Sequence, residues 1–110
     1  MNWIALQSEA QLDDIKKRST HRPQVIFKHS TRCSASSVVK GRLERADKPE
    51  AIDFYYLDLL HYRPVSNKVA DTFSVGHESP QVLLIRNGEC IYDESHLGIT
   101  MNEIVDASTF

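Results

Sequence analysis

Gln24-Val25-Ile26-Phe27-Lys28-His29-Ser30-Thr31-Arg32-Cys33-Ser34-Ala35-Ser36 changes character twice along its length. Gln24 to His29 is a β-branched and aromatic run of strand length. Ser30-Thr31-Arg32 is a polar loop. From Ser34 onward the apolar residues take a helical period, with Ala35, Val39, Leu43 and Ala46 on one stripe, and Pro49 prevents continuation. A strand that passes through a short loop into a helix is the repeating unit of an α/β sheet. Open sheets of that kind place their sites beyond the carboxyl ends of strands, where a loop leads into a helix N-terminus. Cys33 occupies that junction.

Working outward, Ala51 to Leu59 is a second strong strand, apolar on both parities at its centre as a strand covered on both faces should be. Pro64 suits a first helical position. Val65, Val69 and Phe73 then form a stripe that Gly76 is expected to close as a C′ glycine. Gln81 to Ile85 and Cys90 to Asp93 flank Asn87-Gly88, a strong short-range hairpin signal. Thr100-Met101-Asn102-Glu103 reads as a capping box opening a C-terminal helix. On the N-terminal side, Trp3 to Leu6 is a short apolar run, and Ser8-Glu9-Ala10-Gln11 is another capping box, before a helix from about Glu9 to Lys17. Strands alternating with helices, followed by a hairpin, predict a mixed sheet of four or five strands with helices on both faces. The four glycines and four prolines are scattered singly, so residues 1–110 read as one domain.

Composition narrows the function. Lys plus Arg number 13 and Asp plus Glu 15, a net charge of −2, and no run of like charges offers a footprint for phosphate backbone or anionic lipid. No secretory leader pattern or membrane-spanning stretch is visible, so the expectation is a cytoplasmic protein with reduced thiols that binds neither nucleic acid nor membrane. A chain of this length builds a core without staples, so its two cysteines are not required as scaffolding. The five histidines show no zinc spacing, and no metal is expected.

The helix dipole, the free amides of a first turn and the Arg32 guanidinium all favour a thiolate at Cys33. Spacing separates the chemistries that use such a thiol. An oxyanion-binding phosphatase loop needs an arginine six residues on, where this chain has Val39. A dithiol oxidoreductase needs Cys-x-x-Cys, where this chain has Cys33-Ser34-Ala35-Ser36. Ser36 at the resolving position leaves one usable thiol, with the Ser36 hydroxyl and the first-turn amides as candidate hydrogen-bond partners for it. Cys90, inside a strand, reads as packing. His29 is placed to tune the thiol if the two meet across the loop.

Strand, cysteine at a helix start, strand, helix, then Ser79-Pro80 entering an apolar strand and an Asn-Gly turn resembles the thioredoxin fold over nearly the whole chain. That resemblance implies a three-layer α/β/α sandwich, and it implies that Pro80 is a cis-proline beside the nucleophile, with the Ser79 backbone presented to a bound thiol substrate. Val25 to Ser36, together with Asn2-Trp3-Ile4 and Ser79-Pro80-Gln81, resembles more narrowly the monothiol bacilliredoxins, the YtxJ-like branch of that fold. The family carries Thr-Cys-Pro-x-Ser or a close relative. Here Arg32 precedes the cysteine and Ser34 stands in the proline's place. The resemblance implies a cytoplasmic, redox-active enzyme of bacterial type that removes bacillithiol, or a similar low-molecular-weight thiol, from mixed disulfides on client proteins. Cys33 is then the nucleophile, Arg32, Ser34, Ser36, Ser79 and Pro80 contact substrate, and the small thiol is co-substrate with no bound cofactor. A non-catalytic thioredoxin-like binding module remains the alternative.

Overall fold

The computed structural model describes residues 1–109. Five strands form one sheet in the order β1-β3-β2-β4-β5: β1 (Ile4–Ala5), β2 (Gln24–His29), β3 (Asp53–Asp58), β4 (Gln81–Arg86) and β5 (Glu89–Ser95). Helices α1 (Ala10–Arg18), α2 (Ser34–Arg45), α3 (Arg63–Phe73) and α4 (Met101–Ser108) connect or follow them, and a short 3₁₀ turn spans His96–Gly98. This is the mixed α/β architecture anticipated from the sequence.

Alternation along the strands sends side chains to two separate cores. One face of the sheet, with Ile26, Leu57, Leu83 and Ile85, packs under α1 and α3 through Leu12, Ile15, Val65, Val69 and Phe73. The other, with Val25, Phe27, Phe54, Val82 and Leu84, packs under α2 and α4 through Val39, Leu43, Met101 and Ile104. Trp3 joins the second core, its ring centroid 5.6 Å from Phe27 and 6.2 Å from Phe54. Tyr55 is buried and its hydroxyl donates to Gln24 Oε1 at 2.8 Å, while Tyr56 keeps partial exposure.

The strand directions place the site. β1 and β2 both run parallel to β3, but β4 runs antiparallel to β2, with Lys28 opposite Gln81 and Gln24 opposite Ile85. Strand-helix alternation alone predicts a parallel β4 and assigns the first antiparallel joint to the Asn-Gly hairpin. α3 ends near the Asn87-Gly88 end of the sheet, where Phe73 and Ser74 lie with Gly88 and Cys90, and residues 74–80 carry the chain back to the end of β2 before β4 begins. The start of β4 therefore lies beside the end of β2, and Pro80 beside the loop that carries Cys33.

Two local readings need correction. Ser74, not Gly76, takes the left-handed conformation that ends α3 (φ 56°), because the reversal comes immediately after Phe73 and the exposed serine is already there. At the first capping box Ser8 does not cap the helix. Only its partner does the reciprocal work, Gln11 Oε1 accepting from Gln7 N–H at 2.7 Å and Ser8 N–H at 3.1 Å. The hairpin turn and the last helix cap are as read. Asn87 and Gly88 both have positive φ (53° and 78°), the pairing a type I′ turn requires, and Thr100 Oγ1 accepts from Glu103 N–H at 3.3 Å.

Candidate active site

β2 ends at His29, and the loop closes on itself where Cys33 N–H donates to Ser30 O at 3.1 Å. Cys33 has extended backbone (φ −104°, ψ 117°) and occupies the N-cap of α2, and its side chain is half-buried. Free first-turn amides and the positive end of the helix dipole lie at its own position. Arg32 and Ser34 flank it, both exposed.

Ser36 is placed differently from its neighbours. It is fully buried. Its Oγ accepts from Ser30 N–H at 3.1 Å and lies 2.6 Å from His29 Nδ1. The hydroxyl is thus committed to the end of β2 and supports the cysteine loop from beneath rather than facing a substrate. His29 is 4% exposed, with its ring beside Tyr56 (5.4 Å between centroids) and Phe27 (5.7 Å). Burial, and then the Lys40 charge, hold its pKa below the usual histidine value, against the opposing pull of Asp58, Ser36 and Glu44. The structure brings His29 to Ser36, so any influence of the imidazole on Cys33 passes through the serine and the loop.

Across the edge, the Ser79–Pro80 peptide bond is cis. Pro80 is buried, and its carbonyl accepts from His96 N–H at 2.9 Å, which fixes the 3₁₀ turn against it. Arg42 of α2 secures the same turn by donating to Leu97 O and Ile99 O, each at 2.8 Å. His96, in a left-handed conformation (φ 58°), also reaches Glu78 Oε2 at 3.2 Å. Three segments therefore border Cys33's end of the sheet: the cysteine loop, residues 77–80, and the turn at 96–98. The last was not anticipated from sequence, where the stretch carries no periodic signal.

Cys90 lies elsewhere. It pairs with Ile85, four positions along β4 from the Gln81 end and so about 13 Å away at the usual strand rise. Its side chain packs against the α1/α3 core, whereas α2 lies on the other face. Burial pushes the Cys90 thiol up to about 11. A disulfide needs Cα atoms within about 7 Å, so the fold separates the two cysteines by strand position and by face. Among the described residues no group of three or more His, Cys, Asp or Glu side chains is arranged to hold a metal ion. Nor is any helix among them long and apolar enough to cross a membrane.

Sequence reading also passed over Lys28, which is fully buried in β2. The signal was present, because a lysine inside an apolar strand run is rarely buried without a reason.

Residues 4–104 match the family described as monothiol bacilliredoxin BrxC. The chain belongs to this bacilliredoxin family. Among solved structures it is similar to a protein provisionally described as an oxidoreductase with a thioredoxin fold, with TM-score 0.83 and 27% identity over 94% of this chain and 91% of the other. Thioredoxins from Malassezia sympodialis (TM-score 0.75, 17% identity, 98% and 89% covered) and Fasciola hepatica (TM-score 0.73, 17% identity, 96% and 95% covered) share the fold. Bacilliredoxin membership and the thioredoxin fold together support a thiol oxidoreductase-like role.

Proposed function

We propose that the protein removes a low-molecular-weight thiol, bacillithiol or one like it, from mixed disulfides on client proteins, by transferring the cap to Cys33. The observation that carries this reading is a half-exposed thiol at the N-cap of α2 with a serine at the resolving position and the second cysteine at the far end of the sheet. The Cys33 thiolate attacks the small-thiol sulfur of the mixed disulfide. A Cys33–cap disulfide forms, the client–cap bond breaks, and the client departs as thiolate. A second small-thiol thiolate then attacks the cap sulfur, which releases the symmetrical small-thiol disulfide and regenerates Cys33.

Arg32, Ser34, Ser79 and Pro80 border the incoming disulfide in this scheme, and Ser36 and His29 hold the cysteine loop in place. The chemistry calls for no bound cofactor, and a reducing cytoplasm suits it. Intact-mass analysis after incubation with an oxidised small thiol tests the scheme. One cap per chain, absent in Cys33→Ser, is the expected result. Loss of two hydrogens, the mark of a Cys33–Cys90 bridge, overturns it, and a Cys33 that takes no cap leaves the binding-module reading.

A further inference from the structure

Lys28 is a buried cation with no carboxylate partner among the described residues. The residue is 0% exposed, and among the described residues its ammonium has one polar contact, His77 Nδ1 at 3.5 Å, the outer limit of a hydrogen bond. Burial pushes its pKa down to about 8. An ammonium in such a place is costly unless something satisfies it.

The surrounding polar atoms are unsatisfied as well. Gln81 sits directly opposite Lys28 on β4 and therefore shares its face of the sheet. Its Nε2 donates to Gly76 O at 3.0 Å, which ties it to the 74–80 segment, but its Oε1 is buried and has no partner among the described residues. Ser79 Oγ, beside Pro80, and Ser66 Oγ, at the start of α3 over that same face, are buried and equally without partners. Buried polar atoms are nearly always paired. Of these orphans, the Ser79 and Ser66 hydroxyls can donate, as the ammonium does, and buried donors without an acceptor mark a place that can receive one. With one positive charge and two hydroxyl donors, it suits an acceptor that carries a single negative charge. The side chain that contacts the ammonium is itself exposed. His77 lies on the segment before Pro80, and burial, together with the Lys28 and Arg63 charges, keeps its imidazole below its usual pKa despite Glu78 nearby.

We propose that Lys28 anchors a carboxylate carried by the small thiol, which displaces the His77 imidazole and so orients the cap beside Pro80 for attack by Cys33. This rests on the cap-transfer reading above and names the substrate class that reading leaves open. The protein's net charge of −2 disfavours anions in general, so a preference for an anionic cap requires a local site.

The test uses one single-cysteine client protein capped either with 3-mercaptopropionate or with its neutral amide, and follows transfer to Cys33 by intact mass. The wild-type rate ratio of acid to amide is expected to be about tenfold or more, as one charge-assisted hydrogen bond gives. Lys28→Met brings the ratio to near one. In the wild-type protein alone the ratio falls as pH rises through about 8, where Lys28 loses its proton, while His77→Ala, which removes the competing contact, preserves or raises it. A wild-type ratio near one, or one that is unchanged in folded Lys28→Met and flat with pH, overturns the proposal while leaving cap transfer intact. Failure of both caps to reach Cys33 removes the cap-transfer reading and this proposal with it.

Discussion

At the scale of single residues the two thiols, both half-buried, differ in what surrounds them. Cys33 is half-exposed at a helix start, whereas Cys90 packs against a core with its thiol pushed up to about 11 and its Sγ 3.3 Å from Tyr92 O. If only Cys33 reacts, Cys33→Ser abolishes transfer from a capped client and Cys90→Ser leaves its rate within about twofold, since a thiol held near 11 stays protonated and unreactive. Equal loss in both variants sinks one-thiol chemistry. Ser36 makes a sharper structural prediction. Ser36→Ala strands two buried partners, Ser30 N–H and His29 Nδ1, at a cost of about 1–3 kcal/mol. For a chain of this size that corresponds to a drop in Tm of roughly 5–15 °C, readable by thermal unfolding. An unchanged Tm contradicts the role given to this hydroxyl. The sequence marked Ser36 as the missing resolving thiol. Its grip on His29 was not legible there, because it depends on how far β2 runs before the loop turns back over it.

Among elements, what was legible followed the reach of the interaction that makes each one. The type I′ turn at Asn87-Gly88 and the Thr100 cap involve neighbours in the chain, and both stand as read. Thr100→Ala is expected to cost about 1 kcal/mol in denaturant titration with an unchanged m-value, since it removes one cap from an otherwise intact helix. Features set by distant partners were harder to see. The antiparallel entry of β4 depends on residues 74–80 carrying the chain back from the end of α3 to the end of β2. The turn at 96–98 is held by Pro80 O and Arg42, residues far from it in sequence. Lys28 is buried because a loop and a helix cover the end of its strand, although it sits in the stretch that most clearly announces the fold.

For the molecule as a whole, Lys28 leaves a signature in the pH dependence of stability. Its folded pKa is held to about 8 against 10.5 in the open chain. Between those values the unfolded protein binds the extra proton, so stability rises with pH across that window. Below about 8 the burial penalty is present in full, and above about 10.5 it is gone. Tyrosines and Cys90, whose pKa values burial raises, act in the opposite direction. The clean measurement is therefore the difference between wild type and Lys28→Met. In denaturant titrations that difference should move toward the wild type by on the order of 1–3 kcal/mol from about pH 8 to about pH 10.5. A flat difference means that Lys28 is solvated in the folded protein and removes the premise of the carboxylate site.

Placing Cys33 and Cys90 at opposite ends and on opposite faces of the sheet also governs how this protein would register its surroundings. A chain that closes an internal disulfide answers to the square of the free-thiol concentration over the oxidised form, and so to how much thiol a cell holds. A chain that takes only one cap answers to the plain quotient of oxidised to reduced thiol, whatever the size of the pool. Under the proposed chemistry the occupancy of Cys33 follows that quotient alone, so dilution or growth of the thiol supply leaves the protein's state unchanged while a shift in its balance does not.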